Sequence, residues 1–386
     1  MRFRHPDGSI VHLSYCSNVH PAEDVEGILA QLDRFASPLR RTLGFPRLGL
    51  GLWLAAPAAA HLSEDPSELE QLRKRLGRHG LEVVTLNGFP YRAFHAPVVK
   101  RAVYLPDWTD PDRAEYTLLL ARLLAALLPE DAEEGSISTL PLGWREGWSE
   151  RSSDSARYAL EKVANGLSRL AGETGRPIHL GLEPEPGCAV ETVEGMIRAL
   201  QGLDPEWIGV CLDACHLAVQ FEEPSTALSA LQEAGIPVVK AQISSALRAY
   251  RPLDPTSGTN LEAFVEPRFL HQTRVRTASG VAGVDDLDEA LAGGLPGAEE
   301  WRIHFHVPVH HAGENTTQRE LIETLEQLLG GTTPATKHLE VETYTWSVLP
   351  PAERPADDAG LVEGMARELA WTRDRLLEQG MEEVTR

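Results

Sequence analysis

The sequence predicts a single (β/α)8 TIM barrel spanning residues 1–386, with an insertion after the seventh strand and a helix at the carboxyl end. Three observations predict it. Short apolar runs alternate with longer amphipathic stretches, the signature of a parallel α/β sheet. The runs are rich in Val, Leu and Ile without polar alternation, as strands covered on both faces must be. Ligand-type polar residues gather where those runs end, which is where barrel sites are built. A chain of 386 residues is ordinary for one such barrel carrying loop insertions, and 42% hydrophobic residues supply its core without disulfides or structural zinc.

The first strand is expected at His12–Asn18, followed by a helix over Ala22–Phe35. The next units are Arg47–Ala55 with a helix over Pro66–His79, and Leu81–Asn87 with a helix over Pro111–Leu128. The fourth strand is Ser136–Leu142, and its helix, Ser153–Thr174, stops at Gly175, a residue suited to the left-handed position after a helix. Pro177–Glu183, Trp207–Asp213 and Pro237–Ser244 continue the strand series. The pattern then loosens into a polar insertion at about 246–300. Trp301–Val309 and His338–Thr345 are further strands, and Leu361–Gln379 is a charged terminal helix. That makes nine strand candidates for eight barrel positions, and the stretch from Ser245 to Val309 is where the extra one is expected.

The formal net charge of -21 sets the partner class. Such a surface repels phosphate backbones, so no nucleic-acid partner is expected, and a small-molecule metabolite is. Cys16, Cys188, Cys211 and Cys215 form no CxxC pair and no disulfide-framework spacing, which fits a reducing compartment. The amino terminus carries no apolar signal region, and no apolar run is long enough to span a bilayer. A cytoplasmic location is the expectation.

The chemistry is expected at the strand ends. Glu183 ends Ile178–Glu183 and is followed by Pro184-Glu185-Pro186-Gly187. Asp213 ends Ile208–Asp213, with His216 three residues on. Gln242 closes Val238–Gln242, His304 and His306 share a face of Ile303–Val309, and Glu340 and Glu342 share a face of Leu339–Thr343. A buried carboxylate is costly unless paired or bound to a cation. Convergent carboxylates with imidazoles therefore suggest a divalent metal, Mn, Zn, Mg or Co, with Glu183 or Glu342 moving a proton beside it. Asn18, His20 and Asn87 end the first and third strands and either contact substrate or cap loops. Of the two glutamates, Glu342 lies nearer the carboxyl end, while Glu340 is deeper and level with Lys240, a candidate partner.

Leu13-Ser14-Tyr15-Cys16-Ser17-Asn18-Val19-His20-Pro21, Leu86-Asn87-Gly88-Phe89-Pro90-Tyr91 and His338-Leu339-Glu340-Val341-Glu342-Thr343-Tyr344-Thr345-Trp346 resemble the EboE family of metabolite traffic proteins. Ile137-Ser138-Thr139 and Gln242-Ile243-Ser244-Ser245-Ala246-Leu247 fit it as well. The resemblance implies a xylose-isomerase-like barrel and a place in a precursor-export pathway with other proteins, including a membrane prenyltransferase-like protein. It also implies the ligand plan of sugar epimerases in that superfamily, Glu, Asp, His and Glu from the last four strands. By position, Glu183 matches the first Glu, Asp213 the Asp, His216 a substrate-contacting His, and Glu342 or Glu340 the last Glu. Gln242 stands where those epimerases have a metal-binding His, and His306 is the candidate substitute. Three functions remain in view: a metal-dependent isomerase or epimerase, a non-catalytic metabolite-binding barrel, and, disfavoured by charge, a phosphodiesterase resembling endonuclease IV.

Overall fold

A computed structural model describes residues 1–254 and 260–384, so residues 255–259 of the expected insertion lie outside the description. Eight parallel strands close into a barrel: β2 (Ile10–Cys16), β3 (Leu48–Trp53), β4 (Leu81–Asn87), β5 (Gly135–Thr139), β6 (Ile178–Leu182), β7 (Ile208–Asp213), β8 (Val238–Ile243) and β13 (His338–Val341). Each pairs with the next in chain order, and β13 pairs with both β8 and β2 to complete the ring. All residues of β3, β4, β5 and β7 are buried, which explains their unbroken apolar patterning. Two short strands, β1 (Arg2–Arg4) and β14 (Glu382–Glu383), are added antiparallel beside the start of β2.

Helices fill the connections and are capped as their sequences imply. Asp65 accepts from the amides of Ser67 and Glu68, and Ser149 accepts from Ser152. The helix Glu150–Thr174 ends on Gly175 at φ 69°, the conformation its glycine permits. The terminal helix Asp358–Glu378 packs on the barrel through Leu369, Val362 and Leu376. None of the described helices is long and apolar enough to cross a membrane.

The extra strand belongs to a second sheet. After β8 the chain forms β9 (Ser245–Tyr250), β10 (Thr273–Thr277), β11 (Gly280–Val284) and β12 (Glu300–Val307), an antiparallel sheet in the order β11-β10-β12-β9. It therefore runs past residue 300, through the stretch that the sequence reading separated as a ninth strand candidate. Trp301, Ile303, Phe305 and Val307 face a core of the sheet's own, shared with Leu247, Val275 and Phe264. The intervening His304 and His306 face the barrel mouth. The β9–β12 register shifts between Ile303 and His306, an irregularity of the kind that re-aims side chains near sites.

Inside the barrel, neighbouring strands bring Asp213, Gln242 and Glu340 to one level. Lys240 Nζ makes an ion pair with Glu340, and both side chains are fully buried. Gly51 makes room for it: a Cβ there would lie 1.4 Å from Glu340 Oε1. Burial opposes the Lys240 charge, but the Glu340 carboxylate more than offsets it, and the ammonium is held above its ordinary range.

Candidate metal centre and active site

Glu183 follows β6 directly, and its amide continues the ladder to Thr139 O at 2.9 Å. Asp213 closes β7 and caps the short helix Ala214–Val219; its Oδ1 accepts from the His216 amide at 2.9 Å and from Ser244 Oγ at 2.7 Å. Glu342 follows β13, its amide reaching Ile243 O at 3.1 Å. Ligand atoms of Glu183, Asp213 and Glu342 all lie within 4.8 Å of one another, and all three residues are buried. The nearby ammonium of Lys240 is already committed to Glu340.

The charge has visible consequences. Burial, then Glu342 and Asp213, pushes the Glu183 carboxyl well above its usual range. Burial, then Asp213 and Glu340, does the same to Glu342. Glu183 Oε2, Asp213 Oδ2 and His306 Nε2 are buried without a hydrogen-bond partner. Orphaned groups of this kind are rare in native interiors and call for an ion or water. His306 is oriented by its other ring nitrogen, which donates to Glu342 O at 2.7 Å, so its free Nε2 is a lone pair pointed toward Asp213, 4.0 Å away.

Asn18 and Asn87 lie at the cavity, and their Nδ2 groups both donate to Glu342 Oε1 at 2.8 Å. Their observed contacts orient the last-strand carboxylate. His20 is elsewhere: it stacks on Phe35 at 4.2 Å and meets Tyr15 Oη at 3.5 Å, outside the cavity lining, so its position gives no support to a substrate contact. The two are separated by the 3-10 turn Ser17–Val19: Asn18 within it lines the cavity, and His20 just after it stacks on Phe35. Gln242 is fully buried, in register with Asp213 on the neighbouring strand, and neither end of its amide has a hydrogen-bond partner. His216 lines the cavity, with burial lowering its imidazole to about 4.

The cavity at the mouth has a volume of about 60 Å³. Its lining combines carboxylates and imidazoles with the aromatic rings of Phe89, Phe94, Phe269 and Tyr344. Lys100 reaches the lining but is ion-paired with Asp286. Sequence reasoning gave no role to Glu185 or Tyr104, which are bonded to one another at 2.7 Å. The signal for Glu185 was present in Glu183-Pro184-Glu185, since residues two apart in an extended segment share a side. Tyr104 sits in a loop that no strand pattern aligns with the site.

A family model described as a xylose isomerase-like TIM barrel matches residues 41–274. Among solved structures, the chain is similar to D-psicose 3-epimerase from Clostridium cellulolyticum H10, at 12% identity and TM-score 0.52, covering 95% of this chain and 99% of that one. It is similar to a putative sugar phosphate isomerase/epimerase from Anabaena variabilis ATCC 29413 (14% identity, TM-score 0.51, 96% and 100% coverage). It is also similar to D-allulose 3-epimerase from Methylomonas sp. (12% identity, TM-score 0.50, 97% and 100% coverage). At these identities the likeness shows the fold alone. No curated protein matches the chain.

Proposed function

The chain belongs to the xylose isomerase-like TIM barrel family, and from that premise we propose that it is a metal-dependent isomerase or epimerase acting on a small hydroxy-carbonyl metabolite. One observation carries this reading: three buried carboxylates, Glu183, Asp213 and Glu342, converge, and Glu183 Oε2 and Asp213 Oδ2 are left without a partner, as is the Nε2 of nearby His306. Such a donor set fits a divalent cation, because uncompensated buried charge is otherwise strongly unfavourable. His306, from the added sheet, takes the place that a seventh-strand His fills in the epimerase plan, where this chain has Gln242. When bound, the ion polarises a carbonyl or an adjacent hydroxyl.

The chain's own residues then have distinct tasks. Asn18 and Asn87 fix one oxygen of Glu342, leaving the other for substrate. Glu183 and Glu342, carboxylates lining the cavity, are suited to take a proton from carbon or hydroxyl and return it. Phe89, Phe94 and Phe269 keep water from the reacting face. The D-psicose and D-allulose epimerases to which the chain is similar point to the same reaction class.

The assay is solvent-deuterium incorporation into a panel of ketoses and aldoses by metal-loaded protein, beside elemental analysis. Metal uptake with exchange supports the proposal. Tight binding of a panel member without exchange replaces it with a metabolite-binding barrel, and absence of Mn, Zn and Co uptake ends it. The EboE resemblance adds a cellular setting, metabolite traffic beside a membrane prenyltransferase-like protein, which co-purification from membranes tests.

A further inference from the structure

His306 and Glu342 reach the candidate metal centre from different parts of the fold. His306 is carried by β12 of the added sheet, and Glu342 follows β13 of the barrel. Two contacts tie them directly: His306 Nδ1 lies 2.7 Å from Glu342 O, and Thr345 Oγ1 donates to His306 O. A third tie comes from outside both. Glu368, on the terminal helix Asp358–Glu378, is 2% exposed. Its Oε1 accepts from the Val309 amide at 3.1 Å and from Thr343 Oγ1 at 2.6 Å, and its Oε2 accepts from Trp346 Nε1 at 3.1 Å. One oxygen thus grips the chain three residues past His306 and one residue past Glu342. The helix surface is shaped for this junction. Gly364 lies one turn before Glu368, and a Cβ there would come within 2.6 Å of the Trp346 ring. The other side of Val309 is held too, its carbonyl accepting from Gln318 Nε2 at 2.7 Å.

All three of these donors are neutral. A carboxylate buried against neutral donors is costly, and packing a helix on a barrel needs no charge. What the carboxylate supplies is geometry: it only accepts, and it takes several donors at once, whereas a Gln has one accepting oxygen and brings two donors of its own. We propose that Glu368 is a positioning residue for the metal centre, setting the separation of His306 and Glu342 through Val309 and Thr343. The inference rests on the reading that His306 and Glu342 face a bound ion. Glu368 touches neither side chain; it fixes the backbone beside each, so the terminal helix governs how tightly the ion is held. Removing an outer contact that orients metal ligands commonly weakens binding by about 10- to 100-fold.

The test is cobalt titration of full-length protein stripped with chelator. Calorimetry gives the affinity, the visible absorption of bound Co(II) reports ligand geometry, and circular dichroism verifies folding. Glu368→Gln should weaken cobalt binding by about 10-fold or more and shift the absorption bands. Thr343→Val removes one of the three donors in a side chain of similar shape, and should move both readouts the same way by a smaller factor. Leu376→Ala is the control: Leu376 is buried further along the same helix, so its loss lowers the melting temperature, while cobalt affinity and bands stay as in wild type. If Glu368→Gln does not fold, Thr343→Val decides. Affinity within about twofold of wild type and unchanged bands in the deciding variant overturn the proposal and leave the carboxylate centre standing. An equal loss of affinity in Leu376→Ala overturns it as well, because general loosening of the helix would then explain both. Wild type that takes up no cobalt removes the centre itself, and this inference with it.

Discussion

Glu340 and Glu342 lie two residues apart on one face of one strand end, and their surroundings are opposite. Glu340 sits in the barrel interior against Lys240, with Gly51 vacated to receive it. Glu342 sits at the mouth among Glu183 and Asp213, held by two neutral amides and facing an open cavity. The fold compensates charge where the interior is closed and leaves it uncompensated where a ligand can enter. The first arrangement supports the barrel; the second holds a strain that a cation would relieve.

That contrast is easiest to break from below. Glu340→Gln leaves the Lys240 ammonium buried without a counter-ion, and about 3–5 kcal/mol of stability should be lost, read by denaturant unfolding. A loss under about 1 kcal/mol would place both glutamates in one class. Next in size is ligand stabilisation. Saturating Mn or Zn at about 100 times its dissociation constant should raise stripped wild type by about 2.7 kcal/mol per occupied site. Glu342→Gln should lose that increment at its centre, and an undiminished increment in the variant would contradict the assignment.

A smaller effect is expected at the junction between the mouth and the terminal helix. Glu368 accepts from the Val309 amide at 3.1 Å, Thr343 Oγ1 at 2.6 Å and Trp346 Nε1 at 3.1 Å. Glu368→Gln turns an amide donor toward these donors and should destabilise by about 1–3 kcal/mol. Burial raises the Glu368 carboxyl from 4.5 to about 7, with the three donors opposing the rise. A raised acid holds its proton in the folded state where the unfolded chain has released it. Its contribution is thus complete below about pH 4.5 and lost as pH rises through about 7, so the variant should show a shallower decline across that window in melts at stepped pH. The smallest change sharpens the comparison most. In stripped protein at pH 7, Glu342→Gln should leave stability unchanged or slightly higher, because it removes repulsion. A loss above about 2 kcal/mol in equilibrium unfolding would mean that Glu342 is structural.

The barrel was legible because burial on both faces leaves unbroken apolar runs, and because the ends of β6, β7 and β13 carried Glu183, Asp213 and Glu342. The Lys240–Glu340 pairing was anticipated from depth along the strands, although the β8–β13 register sets Gln242, not Lys240, beside Glu340. Element ends were less so: the run Ser136–Leu142 leaves the sheet after Thr139, and His338–Thr345 leaves it after Val341 for a 3-10 turn. Apolar composition continues past a strand wherever the following loop is itself buried, so hydrophobicity cannot mark the end. The Glu342 contacts of Asn18 and Asn87, and the inward placement of Glu185, depend on turns and on partners far along the chain. No local pattern encodes such encounters.

The sheet from Ser245 to Val307 has one face closed on its own core and the other turned to the barrel with His304 and His306. Barrel closure involves none of its strands. The instructions for building the vessel and for selecting its contents thus occupy separate stretches of the gene. Substitutions on one face of β12 can retune the chemistry over a barrel that still closes, so new activities can be sampled without re-inventing the scaffold.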